Sequence, residues 1–330
     1  MNWTGVRTLV TGADGFIGSH LVERLLELGA EVRAFCMYNS NGSLGWLDSM
    51  PGSGRSRLDV CLGDIRDSRY VEKACDGIDT VFHLAALIAI PYSYQAPQSF
   101  IDTNITGTLN VLESVRRNRC RRMVHTSTSE VYGTPMDVPI RETHPLQGQS
   151  PYSASKIAAD KLCESFHCSF DVPVTILRPF NTYGPRQSMR ALLPTVLVQL
   201  LSGENKVKLG RLDSKRDLTY VADTVEGFIL AGGTDGIEGD VIQLGTGRTV
   251  SVEEIVRMAV RLVGIDAEII QEKERFRPDA SEVMILLSDP SKARERLGWM
   301  PRFDLETGLA ETIAWFRERV SQFDPDLYHI

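Results

Sequence analysis

The sequence predicts an α/β protein: a Rossmann doubly wound parallel sheet with a smaller mixed α/β C-terminal substrate domain. Three observations predict it. Short apolar runs alternate with amphipathic helical stretches over roughly the first half, the pattern of a parallel sheet covered on both faces. A glycine-rich turn, Thr11-Gly12-Ala13-Asp14-Gly15-Phe16-Ile17-Gly18, joins the first strand to the first helix. Beyond about residue 180 the regular alternation stops. The boundaries expected are 1–180 for the first domain and 181–330 for the second, with some strands and helices exchanged between them.

Each element has a local reason. Residues 6–11 (Val-Arg-Thr-Leu-Val-Thr) read as a short buried strand. Over 19–28, Leu21, Val22, Leu25 and Leu26 recur at helical spacing, and Gly29 supplies a stop. Residues 31–36, 58–62, 80–84, 122–127 and 174–178 are apolar strands. Helical patterns over 68–74, 100–117 and 152–170 separate most of them. In the second half, helices are expected over 192–201, 221–231 and 252–263, and a strand over 241–244. Asp289-Pro290-Ser291 opens a helix through 296, and 307–320 is the last helix.

The 330 residues are 42% hydrophobic and 24% charged, ordinary for a soluble globular protein. A formal charge of −7 with no basic block argues against nucleic acid as a partner. Cys36, Cys61, Cys75, Cys120, Cys163 and Cys168 are scattered, with no Cys-x-x-Cys pair. They read as free thiols in a reducing compartment, and Cys163 and Cys168 as packing residues on a helix. The six histidines lack metal-ligand spacing, so no metal is expected. No signal peptide or bilayer-length apolar run is legible. A cytoplasmic protein that does not engage membranes is expected.

The glycine turn follows a strand and opens a helix, the context in which such glycines admit a dinucleotide pyrophosphate. Gly12, Asp14, Gly15, Phe16, Ile17 and Gly18 are therefore candidate cofactor ligands. At the end of the second strand, Cys36-Met37-Tyr38-Asn39-Ser40-Asn41 offers neither the acid that selects NAD nor the arginines that select NADP. Asn39 and Ser40 are candidates to bond ribose or phosphate. NAD is favoured over NADP, with NADP still open. Asp64 and Ile65 follow the third strand, where an adenine amino group is recognised. A helix N-cap is the other role for Asp64.

Tyr152 and Lys156 lie one helical turn apart and share a face. A lysine charge there is expected to lower the tyrosine pKa and make the phenol a usable base. Glu130, in Ser127-Thr128-Ser129-Glu130-Val131-Tyr132-Gly133, adds a carboxylate that simple alcohol oxidation does not need.

With these motifs in order, the chain resembles the extended short-chain dehydrogenase/reductase family, the nucleotide-sugar epimerases and dehydratases. His83-Leu84-Ala85-Ala86, Asn104-Ile105-Thr106-Gly107-Thr108, Arg178-Pro179-Phe180-Asn181-Thr182-Tyr183-Gly184-Pro185 and Arg216-Asp217-Leu218-Thr219-Tyr220-Val221 carry the resemblance too. It implies a tightly bound, recycled nicotinamide cofactor held also by Leu84, Ala85, Ala86, Asn104, Thr126, Tyr152, Lys156 and Pro179. It implies that Thr128 bonds the sugar 4-hydroxyl, that Tyr152 removes its proton, and that hydride leaves C4.

A 4-epimerase needs only the Thr, Tyr and Lys. A 4,6-dehydratase must also remove the C5 proton, and Glu130 suits that role. Ser129 stands where many dTDP-glucose dehydratases have an aspartic acid, so Glu130 is expected to serve as base and then acid, through water or Ser129. Thr-Ser-Glu also occurs in UDP-glucuronate decarboxylases, but Tyr152-Ser153-Ala154-Ser155-Lys156 favours a dehydratase.

A finer resemblance is to the legionaminic-acid-pathway dehydratases. It rests on Arg33-Ala34-Phe35, Tyr38-Asn39-Ser40, Gly45-Trp46-Leu47-Asp48, the run from His83 to Tyr94, and Arg277-Pro278 with Ser281-Glu282-Val283. It implies UDP- or GDP-linked N-acetylglucosamine as substrate and a 4-keto-6-deoxy sugar as product. Tyr94, Asn181, Arg186, Arg216 and Arg277 are the implied substrate ligands. The apolar stripes of helices 100–117 and 152–170 imply a homodimer through a four-helix interface. The alternatives kept are a 4-epimerase or decarboxylase of the same fold and, in another class, a non-catalytic NAD(P)-sensing binding protein.

Overall fold

The computed structural model describes residues 2–50 and 52–325. Seven strands form one parallel sheet: β1 (Arg7–Thr11), β2 (Glu31–Met37), β3 (Leu58–Gly63), β4 (Thr80–His83), β5 (Arg122–Thr126), β6 (Val174–Pro179) and β7 (Val241–Leu244). Their order is β7-β6-β5-β4-β1-β2-β3. The strand order therefore reverses between β1 and β4, where such sheets open a crevice at their carboxyl ends. The strand expected over 241–244 is the seventh strand of this sheet, pairing with β6 from Val241↔Ile176 to Leu244↔Pro179.

Successive strand residues face opposite layers, so neighbouring apolar residues enter different cores. Val10 and Phe82 join the core under α1 (Phe16–Glu27), with Leu21, Val22 and Leu25. Leu9 and Val81 enter the other, with Val71, Val111, Val115 and Phe166. These come from α2 (Ser68–Ala74), α3 (Gly107–Asn118) and α4 (Pro151–Phe170). Asp67 caps α2, accepting from the Arg69 and Tyr70 backbone N–H groups. Gly29, at φ +87°, ends the first helical unit as expected.

The single helix expected over 100–117 is interrupted. A turn at Pro97–Phe100 leads into a π-helical segment, Ile101–Thr106, before α3. Such bulges recur at functional sites, and here the bulge carries Asn104.

In the second half, α5 (Leu192–Leu201) packs with α7 (Val252–Val263) and α9 (Leu305–Arg317). A parallel pair, Lys206–Leu209 with Glu268–Gln271, lies beside them. Between them in sequence, α6 (Val221–Gly233) packs against α1 over the main sheet. α7 opens on a Ser251–Glu254 capping box and ends at Gly264 in the left-handed region. α9 starts two residues before the expected 307 because Asp304 accepts the Thr307 N–H. α8 (Ser291–Leu297) follows Asp289, whose carboxylate accepts from the Ser291 backbone. Among the described residues no helix is long and apolar enough to cross a membrane.

Candidate active site

The glycine turn is built for close approach. Gly12 sits at φ +70°, and a Cβ there would lie 2.9 Å from the Ala85 backbone nitrogen. A Cβ on Gly18 would lie 2.0 Å from the Gly12 carbonyl oxygen. Glycine is thus required both to make the turn and to seat α1 against it. Gly15 caps α1 with no side-chain acceptor, which leaves helix N–H groups and the positive end of the dipole for an anionic group. The Thr11 hydroxyl accepts from the Leu84 and Ala85 N–H groups and bonds His83 Nδ1 at 2.8 Å. This fastens the strand-end motif to the turn. These residues fit a dinucleotide.

The adjoining residues divide. Asp14 accepts from the Met37 N–H at 3.3 Å and so ties the turn to the end of β2; burial pushes its carboxyl up. Asn104 accepts from Leu87 N–H and donates to Leu87 O and Ser155 Oγ. It locks the loop after β4 to α4. Ile65 is buried against Gly107, where a Cβ would meet its Cγ2 at 2.7 Å. Thr126 Oγ1 is buried without a partner, and Pro179 is buried at the end of β6. Ser40 is exposed.

Two of the candidate side chains have partners within the chain. The Asn39 amide donates to Met37 O and Ser43 O and accepts from the Asn41 and Ser43 N–H groups. Its polar atoms hold its own loop instead of facing outward. Asp64 does not cap α2, which Asp67 does. It forms a forked pair with Arg66 at 2.5–3.0 Å, and that guanidinium draws its carboxyl down.

The reacting residues converge at the carboxyl end of β5. Thr128 has extended backbone, φ −158° and ψ 154°, and leads into a helical turn at Ser129–Tyr132. Thr126, Thr128 and Glu130 are half-buried, whereas Ser127 and Ser129 are buried. Ser129 is only 2% exposed, more buried than Thr128 and Glu130 on either side of it.

Tyr152 packs edge-on against Phe100, with ring centroids 6.2 Å apart. Lys156 is buried and donates to Thr126 O at 2.6 Å. The expected depression of the Tyr152 pKa is not the direction found. Burial pushes the phenol up, the Thr128 hydroxyl moderates this, and the carboxylates of Glu130 and Asp160 add to the rise. Burial also draws the Lys156 ammonium down, opposed by Asp160. His83 is buried with both ring nitrogens bonded, to Thr11 and Thr108, and burial draws its pKa well down, which makes it a poor base.

Arginines and one carboxylate form a second polar group. Arg216 Nη2 donates to Glu282 at 3.2 Å, and Arg277 Nη1 is 3.9 Å from the same oxygen. Burial lowers the Arg216 pKa, and Glu130 is the first group to oppose it. The Glu130 and Arg216 charges therefore attract one another. Arg277 Nη1 and Asn181 Oδ1 are buried without hydrogen-bond partners. Tyr94 OH bonds Ser281 Oγ at 2.6 Å and links the 90–95 turn to the 279–281 turn.

Arg186 is not gathered with these residues. It donates to Ser19 and to Glu23 at 2.8 Å on α1, so its charge secures the 184–187 turn to that helix. The motif reading missed Glu282 as the carboxylate between two arginines. It also missed Asp160, although Asp160 stands one turn after Lys156. The six thiols are free; Cys163 is buried as expected, but Cys168 is exposed rather than packed.

A doubly wound sheet with a glycine cradle at its switch point and a Tyr-x-x-x-Lys pair beside it defines a nicotinamide-dependent oxidoreductase-type fold. The family model described as GDP-mannose 4,6 dehydratase matches residues 9–312. The chain belongs to that family, within the extended short-chain dehydrogenases of epimerase/dehydratase type. It is 33% identical over 320 residues to a UDP-glucose 4-epimerase of Mycolicibacterium smegmatis, covering 95% of this chain and 99% of that protein. It is 34% identical to a dTDP-glucose 4,6-dehydratase of Streptomyces griseus, covering 96% of each. The structure matches the dTDP-glucose 4,6-dehydratase of Streptomyces venezuelae, solved with NAD bound, at a TM-score of 0.85 and 30% identity, covering 97% of this chain and 99% of that one.

Proposed function

We propose that the protein is a nucleotide-sugar 4,6-dehydratase acting on UDP- or GDP-N-acetylglucosamine, with NAD as a recycled cofactor. One observation carries the reading. Glu130, like Thr128, is only half-buried, and its charge acts on both Tyr152 and Arg216. A carboxylate set between the redox pair and the phosphate-binding end suits a second proton transfer.

NAD held at the Gly12–Gly18 turn would supply the acceptor for the C4 hydride and the source of the hydride given to C6. Thr128 orients the 4-hydroxyl and Tyr152 takes its proton as a phenolate, a state that the Lys156 ammonium and the positive charge of bound NAD would favour against the burial and carboxylates that push the phenol up. The C4 ketone acidifies the C5 proton, which Glu130 removes. Glu130 then delivers that proton to the departing C6 hydroxyl, which leaves as water. When hydride returns to C6, C5 takes up one proton, in balance with the one that Tyr152 removed from the 4-hydroxyl. Arg216 and Arg277 hold the diphosphate, a task suited to guanidinium forks, and Asn181 and Tyr94 complete the substrate end. NAD is favoured because no basic residue stands between 37 and 46 to pair with a 2′-phosphate. Exposed Ile101, Leu109 and Phe170, around α3 and α4, support a homodimer through those helices.

The test is incubation with UDP- and GDP-N-acetylglucosamine, followed by mass spectrometry. Loss of one water is expected. A 4-epimerase is favoured by the similarity to the M. smegmatis epimerase, and unchanged mass with altered sugar configuration would replace the dehydratase by it. Glu130→Gln is expected to oxidise C4 and accumulate reduced cofactor without losing water. Full turnover by that variant removes Glu130 from the mechanism.

A further inference from the structure

We propose that Asp160 and Arg178 are positioning residues for the reaction: their buried pair fixes both ends of the turn that carries Thr128 and Glu130. Asp160 is fully buried and Arg178 is 2% exposed. Asp160 Oδ2 accepts from Arg178 Nε at 3.1 Å and Nη2 at 2.9 Å, and from Ser127 Oγ at 2.8 Å. Ser127 is the residue just before Thr128. Arg178 Nη1 donates to the Tyr132 hydroxyl at 3.1 Å, and the guanidinium lies 5.2 Å from the centre of that ring. Tyr132 is the last residue of the helical turn Ser129–Tyr132.

The chain of bonds continues outward. Tyr132 OH donates to Gln243 Oε1 at 3.0 Å, and Gln243 Nε2 donates to Ile140 O and Asp289 O. One network therefore joins α4, β6, β7 and the two ends of the reacting turn. Asp160 also sits one helical turn beyond Lys156, so the frame that holds the turn is the helix that presents Tyr152 and Lys156.

A buried ion pair is weak as a source of net stability, because desolvation offsets the attraction. What this pair supplies is geometry. Ser127 is pinned at the Thr128 end, and Tyr132 at the Glu130 end. The two ends serve different steps, C4 oxidation and C5 deprotonation. Loosening one should therefore slow one step more than the other.

Removing Asp160 would strand a buried arginine, so the test uses two variants that each lose one hydroxyl. The holoenzyme is mixed with the N-acetylglucosamine nucleotide that it turns over, and nicotinamide reduction and water loss are timed separately. Ser127→Ala is expected to slow nicotinamide reduction about tenfold, since small misplacements of reacting groups cost rate steeply. Tyr132→Phe is expected to leave reduction within about twofold and slow water loss about tenfold, so that reduced cofactor accumulates. KM stays within about twofold in both, because neither residue binds substrate.

Wild-type rates in both variants, or equal loss of both steps in each, overturn the proposal. The second arm rests on the dehydratase reading. If the wild type transfers C4 hydride without losing water, that reading fails, and Ser127→Ala decides the clamp alone: slowed hydride transfer supports it and a wild-type rate overturns it.

Discussion

Gly18→Ala tests the cofactor cradle most directly. The added Cβ would stand 2.0 Å from the Gly12 carbonyl oxygen, 2.8 Å from its carbon and 3.0 Å from the Ala13 Cα. All three are backbone atoms, so no side chain can swing aside. Reaching ordinary van der Waals contact requires α1 and the turn to separate by about 1.4 Å, the gap between 2.0 Å and roughly 3.4 Å. Overpacking of this kind costs about 1–3 kcal/mol of stability.

The larger effect falls on the cofactor. Loss of two backbone N–H bonds to a charged acceptor, at about 1.5–3 kcal/mol each, corresponds to NAD binding about 10²- to 10⁴-fold weaker. The control is Gly5→Ala. Gly5 is also in the left-handed region, φ +74°, but nothing lies within 4 Å of an added Cβ. It should lose about 1–2 kcal/mol through backbone strain and keep its NAD. The assay is denaturation of each purified variant and mass measurement of the released cofactor, beside a thermal melt. NAD recovered from Gly18→Ala at the wild-type ratio would refute the reasoning, whatever the melt shows.

Two further outcomes are expected. His125 is buried, and desolvation lowers its pKa from 6.5 to about 4, while Asp160 opposes the shift. The unfolded state therefore takes the proton first, and stability present above pH 6.5 is lost as pH falls towards 4. The amount is about 3 kcal/mol, and His83, also lowered by burial, adds in the same direction. Thermal melts from pH 7 to 4 should show this slope and His125→Gln should flatten it; an unchanged slope in that variant counts against the assignment. Arg277→Ala should raise KM about tenfold or more with kcat little changed, since it removes binding common to ground and transition states. A fall in kcat at constant KM would place Arg277 in the chemistry instead.

Local patterns carried most of the fold. The glycine turn, the strand and helix alternation and the Tyr152–Lys156 spacing depend on neighbours within a few residues, and so they were legible. The misses share a different dependence. The π-helical segment at Ile101–Thr106 interrupts a run whose apolar spacing reads as one helix. Asn39 and Arg186 looked available because their partners, Ser43 and Glu23, can be assigned only once the loops are closed. The tyrosine pKa was expected from one neighbour, Lys156, whereas burial and two carboxylates decide its direction.

By itself, then, the sequence determined the class of fold, the cofactor turn and the residues able to move a proton. Each of these follows from backbone freedom, side-chain chemistry and helical or strand periodicity. Only the tertiary structure decided which of them are buried and which groups partner them. It buried Ser129 between half-exposed Thr128 and Glu130, set Glu282 between Arg216 and Arg277, and buried Asp160 against Arg178 behind the turn. Burial and partnership arise when distant segments are packed together and their polar groups must find one another out of water.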